Sequence, residues 1–250
     1  MKKLFKNRRF NVLLLLLFII GNVHAQTTNE DTIKNKEDFS DDWAALSHYA
    51  KENETLPPPK EGERRVVFLG SSIFERWKDA DAAFFNNHPY IDRGISGQIA
   101  PQLLIRFRQD VIDLQPKAVI ILAGSNDIAA NKGHITYERI MDNINSMAEL
   151  AALHGIKVIL CKYLPIYDYP WRKGLQPANK IIALNKEIEA YATANHFTIL
   201  DYFTPLVDKR NGQKAELTID GVHPNVAGYK VMEKVTEQAI QEALGENASQ

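Results

Sequence analysis

Three short stretches carry the residue types needed to cleave an acyl bond: Gly70-Ser71-Ser72-Ile73, Gly124-Ser125-Asn126-Asp127 and Asp220-Gly221-Val222-His223-Pro224. That chemistry needs an oxygen nucleophile, a base near pH 7 and donors for the oxyanion that develops. Ser72 offers the hydroxyl. His223 suits the base, because an unperturbed imidazole pKa of about 6.5 lets it take a proton and return it to a leaving alcohol. Asp220 precedes it by three residues, a spacing that in a helical turn puts both side chains on one face, where the carboxylate could orient the ring. The Asn126 carboxamide could point an N–H at the oxyanion. Each also has a purely structural alternative: Ser71 or Ser72 suits a helix N-cap, Asp220-Gly221 suits a turn with His223 at the surface, and Asn126 and Asp127 are turn formers.

Positioning these groups requires a scaffold, and the hydrophobic pattern outlines one. Val66 to Leu69 is a β-branched and aromatic run ending in Gly-Ser-Ser, the pattern of a buried strand that turns into a helix starting near Phe74. Ser72 then lies at the carboxyl edge of a sheet, where open α/β folds bind ligands. Tyr90-Ile91 predicts a short strand, followed by a loop in which Gly94 and Gly97 flank Ile95-Ser96. Glycines so placed signal positive φ or close approach of another group, or else an ordinary turn. The apolar run Ala118 to Ala123 predicts a buried strand that delivers Asn126 to the same edge, and further strands are expected at Ile156 to Tyr163 and Phe197 to Tyr202. Helices are expected over Asp41 to Asn53, Pro101 to Leu114, Tyr137 to His154, Asn179 to Asn195 and Ala227 to Leu244. Strands alternating with helices imply an α/β sandwich with a mainly parallel sheet of about five strands.

Together with Ile95-Ser96-Gly97, the three stretches resemble the four sequence blocks of the SGNH (GDSL) superfamily of esterases and lipases, in order, from Gly70 to Pro224. The resemblance implies a flavodoxin-like three-layer α/β/α sandwich and a metal-free, cofactor-free serine esterase working through an acyl-enzyme. It assigns Ser72, Asp220 and His223 as the triad, and an oxyanion hole from the Ser72 and Gly97 N–H groups and the Asn126 side chain. The residue before the nucleophile is usually Asp in that superfamily and is Ser71 here, which bears on loop anchoring more than on reacting groups. No Gly-x-Ser-x-Gly elbow surrounds Ser72, which argues against the α/β-hydrolase topology. The lysine and spacing of a P-loop are also missing.

A formal net charge of −1 with 24% charged residues gives no broad electrostatic footprint for nucleic acid. Cys161 is the sole cysteine, so no intrachain disulfide or cysteine-rich zinc site is available, and it lies in an apolar run that suits a buried hydrophobe. Lys2, Lys3, Lys6, Arg8 and Arg9, the apolar run Val12 to Ile20 and Val23-His24-Ala25 form a signal peptide pattern, with cleavage expected between Ala25 and Gln26 and export to a periplasm or the medium. No cysteine follows the apolar run to accept a lipid, and the mature chain is expected to lack a membrane span. The expected organisation is a signal peptide over 1–25, a polar leader and packing helix over 26–60 and a hydrolase domain over 61–245. The stretch from Leu164 to Ala178 is rich in aromatics and proline, and Tyr167, Trp171 and Arg172 are its candidate substrate contacts. The expected substrate is a small-molecule or glycan ester carrying short acyl groups, acetyl among them. A lysophospholipid or other lipid ester is the first alternative, and a non-catalytic glycan-binding module the second. Oligomeric state is not legible.

Overall fold

The computed structural model describes residues 41–245; the expected signal peptide and the leader as far as residue 40 lie outside the described residues. Five strands, β1 (Val66–Gly70), β2 (Tyr90–Gly94), β3 (Ala118–Ile121), β4 (Lys157–Lys162) and β5 (Thr198–Asp201), form one sheet in the order β2-β1-β3-β4-β5. Every pairing is parallel. β1 and β3 are buried along their whole length, which is why both read as unbroken apolar runs. The order is that of flavodoxin-like sheets, with the switch in winding direction between β1 and β3. Gly70 stands opposite Gly94, and Leu69 opposite Ile121, so the loops that follow β1, β2 and β3 leave the sheet at one edge.

The helices are α1 (Ala50–Thr55), α2 (Ser72–Ala80), α3 (Ala82–Asn86), α4 (Ala100–Ile105), α5 (Phe107–Asp110), α6 (Ser125–Ile128), α7 (Tyr137–Leu153), α8 (Ala178–Ala194), α9 (Phe203–Leu206) and α10 (Val226–Leu244). α2 and α10 pack together over the sheet, while α7 contacts both α4 and α8 in a second group; these are the outer layers. An aromatic cluster fills the first interface. Trp77 stacks between Phe84 and Tyr229, and Phe68 meets Phe74, Trp77, Phe84 and Phe85 edge-on. Cys161 is buried in β4.

Two expected helices differ. The helix expected over Asp41 to Asn53 is confined to Ala50–Thr55. Before it, the Asp42 carboxylate takes the N–H groups of Leu46 and Ser47, Ala45 sits at φ 55°, and the carbonyls of Trp43, Ala44 and Leu46 accept from Gln102, Gln98 and Gln109. Side-chain partners for the backbone thus replace a helical ladder. The helix expected over Pro101 to Leu114 is broken into α4, α5 and a 3₁₀ turn over Ile112–Leu114. The breaks fall at Arg106 and Val111, and Arg106 is wholly buried.

Asp92 sits inside this fold with its Oδ1 accepting the Gly94 N–H at 2.8 Å. Burial pushes its pKa up to about 7 against the pull of that hydrogen bond and of Lys78 and Arg93. An acid with a raised folded pKa holds a proton that the unfolded chain has released, so its contribution to stability falls as pH rises from about 4 to about 7. Asp92→Asn keeps the acceptor and removes the ionisation. The variant should therefore gain on the parent by on the order of 2 kcal/mol between pH 5 and pH 8 in urea unfolding, and a pH-independent difference would contradict this reading.

Candidate active site

Ser72 is the first residue of α2, two residues beyond the end of β1. The N-cap position falls to Ser71, whose side chain makes no capping bond, so neither serine caps the helix through its hydroxyl. The Ser71 carbonyl instead accepts from Phe74 and Glu75. Gly94 and Gly97 are both required, for different reasons. A Cβ on Gly94 would lie 2.3 Å from the Glu75 backbone nitrogen, so α2 can pass close only over glycine, whereas Gly97 has open space around it and φ of +77°. Among the described residues, neither the Ser72 N–H nor the Gly97 N–H has a hydrogen-bond partner. Both remain available to an incoming oxygen.

His223 reaches Ser72 from the far end of the chain. Its Nε2 lies 3.0 Å from the Ser72 Oγ, and its Nδ1 lies 2.8 Å from the Asp220 Oδ2. A carboxylate oxygen only accepts, so Nδ1 carries a proton, and the tautomer this selects leaves Nε2 as the acceptor facing the serine O–H. The spacing from Asp220 to His223 works here without the helical turn that sequence spacing suggested. Residues 219–223 form a bend between the Thr218–Pro224 bridge, with Gly221 at φ +86°. Asp220 Oδ1 collects the Val222 and His223 N–H groups at 2.9 and 2.8 Å. Partial burial alone would raise the Asp220 pKa, but the hydrogen bonds from His223 and Val222 outweigh it and hold the carboxyl below its ordinary value.

The bend is anchored on α10. Asn225 caps that helix by accepting from the Gly228 N–H at 3.0 Å, and the Tyr229 hydroxyl donates to the Ile73 carbonyl at 2.9 Å. Ile73 follows Ser72, so one hydroxyl ties the helix after the histidine to the helix that carries the serine.

Asn126 lies in α6, one turn past β3. Its Nδ2 donates to the Gln98 carbonyl at 2.9 Å, and its Oδ1 accepts from Asn131 Nδ2 at 2.7 Å. The neighbouring Asp127 carboxylate takes the Ala100 N–H on both oxygens, while burial pushes its pKa up to about 6. Asp127 thus fixes α6 against the start of α4.

Arg106 joins these loops from below. Its wholly buried guanidinium donates to the Gly70 carbonyl at 3.0 Å, the Arg93 carbonyl at 2.7 Å, Gln98 Oε1 at 2.6 Å and Asp110 Oδ2 at 2.9 Å.

The aromatic loop divides by residue. Tyr169 is a packing residue with no exposure, its hydroxyl donating to the Ser125 carbonyl and meeting the Ser125 hydroxyl. Tyr167 and Trp171 stay half exposed, at 52% and 48%, and the Trp171 ring lies 6.2 Å from that of His223. Tyr167, Asp168, Lys173 and Arg210 line a cleft of about 310 Å³ that borders Asp220, with the Arg210 guanidinium 5.0 Å above the Tyr167 ring. Arg172 does not line that cleft. Lys173, Arg210, Asn131 and Arg106 are site neighbours that sequence reasoning missed, since nothing in their spacing marks them. Among the described residues no group of three or more His, Cys, Asp or Glu could hold a metal ion, and no helix is long and apolar enough to cross a membrane.

The model of the GDSL-like Lipase/Acylhydrolase family matches residues 68–231. Among solved structures, a GDSL-like lipase of Bacteroides thetaiotaomicron VPI-5482 is 46% identical with a TM-score of 0.79, covering 81% of this chain and 100% of that one. A candidate acylhydrolase of Bacteroides fragilis NCTC 9343 is 44% identical with a TM-score of 0.79, covering 81% and 99%. An acetylxylan esterase of Geobacillus stearothermophilus, at 17% identity and a TM-score of 0.58 over 71% and 94% of the two chains, shares the fold. The Uncharacterized lipoprotein YqeF of Bacillus subtilis (strain 168) is 34% identical over 85 residues, which is 33% of this chain and 35% of that protein, so the match spans about a third of that relative's length.

Two substitutions test the scaffold. Arg106→Lys keeps the charge and loses the planar fork, so it should cost about 3 kcal/mol in urea unfolding; a cost under about 1 kcal/mol would show that the four acceptors do not depend on the guanidinium. Gly97→Ala meets no neighbour and should cost about 1 kcal/mol from its left-handed backbone alone. A far larger loss would mean that the added methyl collides with something.

Proposed function

The chain belongs to the GDSL-like Lipase/Acylhydrolase family of carboxylic ester hydrolases, and from that premise we propose that Ser72 is its nucleophile and that it works through an acyl-enzyme. The observation that carries this reading is the continuous hydrogen-bonded run from Ser72 Oγ to His223 Nε2 and from His223 Nδ1 to Asp220 Oδ2, at 3.0 and 2.8 Å. His223 takes the serine proton as Oγ attacks the ester carbonyl carbon. The ring becomes an imidazolium, which the ionised Asp220 stabilises. The developing oxyanion accepts from the Ser72 and Gly97 N–H groups and from the second Nδ2 hydrogen of Asn126. Collapse expels the alcohol, which receives the proton from His223. Water then attacks the acyl-enzyme by the same route, and His223 returns the proton to Ser72.

For the substrate, we read short acyl groups, acetyl among them, carried on a carbohydrate. The cleft bordering Asp220 presents a half-exposed Tyr167 beside charged Lys173, Asp168 and Arg210, and Trp171 stands over His223. Aromatic faces next to hydrogen-bonding charges suit a hydroxylated ring better than an alkyl chain. The amino-terminal pattern supports export, with cleavage between Ala25 and Gln26, to a periplasm or the medium.

Two experiments check this reading. On p-nitrophenyl esters of rising acyl length, kcat/KM should be highest at acetyl to butyryl; a rate still climbing at octanoyl would favour a lipid ester. Ser72→Ala and His223→Ala should abolish turnover, and Asp220→Asn should lower kcat by up to about 10⁴-fold. Glycan binding that persists in a parent without turnover would instead favour a binding module.

A further inference from the structure

The Asn126 carboxamide has one possible orientation, and residues outside the four sequence blocks set it. The Gln98 carbonyl only accepts, so Asn126 must present Nδ2 to it at 2.9 Å and turn Oδ1 toward Asn131 Nδ2 at 2.7 Å. Asn131 is oriented in turn by an indole: Trp171 Nε1–H, which only donates, lies 3.2 Å from Asn131 Oδ1. A donor-only group at one end and an acceptor-only group at the other leave a single proton arrangement for the whole run. The backbone reinforces it, since the Asn131 N–H also donates to the Asn126 carbonyl at 3.0 Å. The run starts at a half-exposed ring beside His223 and passes through Asn126, a residue only 8% exposed.

We propose that Trp171 and Asn131 are positioning residues that hold the free Nδ2 hydrogen of Asn126 on the oxyanion. This rests on the reading of Asn126 as an oxyanion donor. Without Asn131, the Asn126 Oδ1 loses its partner and the amide is held about its χ2 by the Gln98 carbonyl alone. The donor then acts only part of the time, at the moment when charge develops. Substrate in its ground state does not call on that hydrogen bond, so the loss falls on kcat and leaves KM alone.

The test is steady-state kinetics on p-nitrophenyl acetate, with melting temperatures in parallel, for Trp171→Phe, Asn131→Ala, Asn131→Asp, Asn126→Ala and the Asn126→Ala/Asn131→Ala pair. Trp171→Phe keeps an aromatic face and removes the N–H together with part of the ring. It and Asn131→Ala should each lower kcat about 10-fold at unchanged KM. Asn131→Asp should be worse than Asn131→Ala at equal melting temperature, because a carboxylate facing Asn126 Oδ1 repels it and turns the amide away. Asn126→Ala should lower kcat by about 10²–10³-fold, and the double variant should lose no more than that. Parental kcat in Asn131→Ala and Trp171→Phe alongside a crippled Asn126→Ala would overturn this inference and leave the oxyanion reading standing. So would additive losses in the double variant, equal kcat for the two Asn131 substitutions, or a Trp171→Phe effect confined to KM. Parental kcat in Asn126→Ala would overturn the oxyanion reading and this inference with it.

Discussion

The site depends on one buried cation. A parallel sheet ends with carbonyls pointing out of its carboxyl edge, and buried ones need hydrogen-bond partners. Arg106 collects two of them, from Gly70 on β1 and Arg93 on β2, together with Gln98 and the carboxylate of Asp110. Burial pulls its pKa down while Asp110 pushes it back up, and every acceptor around the guanidinium makes a charge-assisted bond. The consequence is geometric. Gly70 is two residues before Ser72, and Gln98 follows Gly97 and supplies the carbonyl that fixes Asn126. One planar group therefore sets the spacing of the three loops that carry Ser72, Gly97 and Asn126.

His223 arrives by a separate route. His223 lies on a bend ordered by Asp220 and tied through Tyr229 to Ile73, so its distance to Ser72 is set by how α10 seats on α2. That interface is the aromatic cluster around Trp77, whose stacking on Phe84 and Tyr229 resists sliding of one helix over the other. The acids around the site divide accordingly. Asp220, about a third exposed and rich in donors, stays ionised to face the imidazole, whereas Asp127 and Asp92, buried with few donors, have raised pKa values and serve the scaffold.

The sheet, its strand positions and the residues that converge on its edge were legible in the sequence. Buried strands such as Val66 to Leu69 and Ala118 to Ile121 announce themselves as apolar runs, and each is followed by a short polar block. Three things were not legible. The segment ahead of α1 has a helical pattern, yet its carbonyls are claimed by Gln98, Gln102 and Gln109, partners more than fifty positions away. Arg106 sits within an amphipathic stripe where a charge would be expected to face solvent. Trp171 was singled out as an aromatic candidate contact, but the bond from its N–H to Asn131 is encoded by no periodicity. The Asp220 to His223 spacing led to the right neighbours through the wrong geometry, a bend in place of a helical turn.

The most direct test of the central claim, that these distant segments activate one hydroxyl, is to label the intact protein with a fluorophosphonate and locate the adduct by mass spectrometry. The account expects a single adduct on Ser72 that forms rapidly in the parent and is lost or slowed by orders of magnitude in His223→Ala. An adduct on another residue, or none on Ser72 in a folded parent, would contradict it.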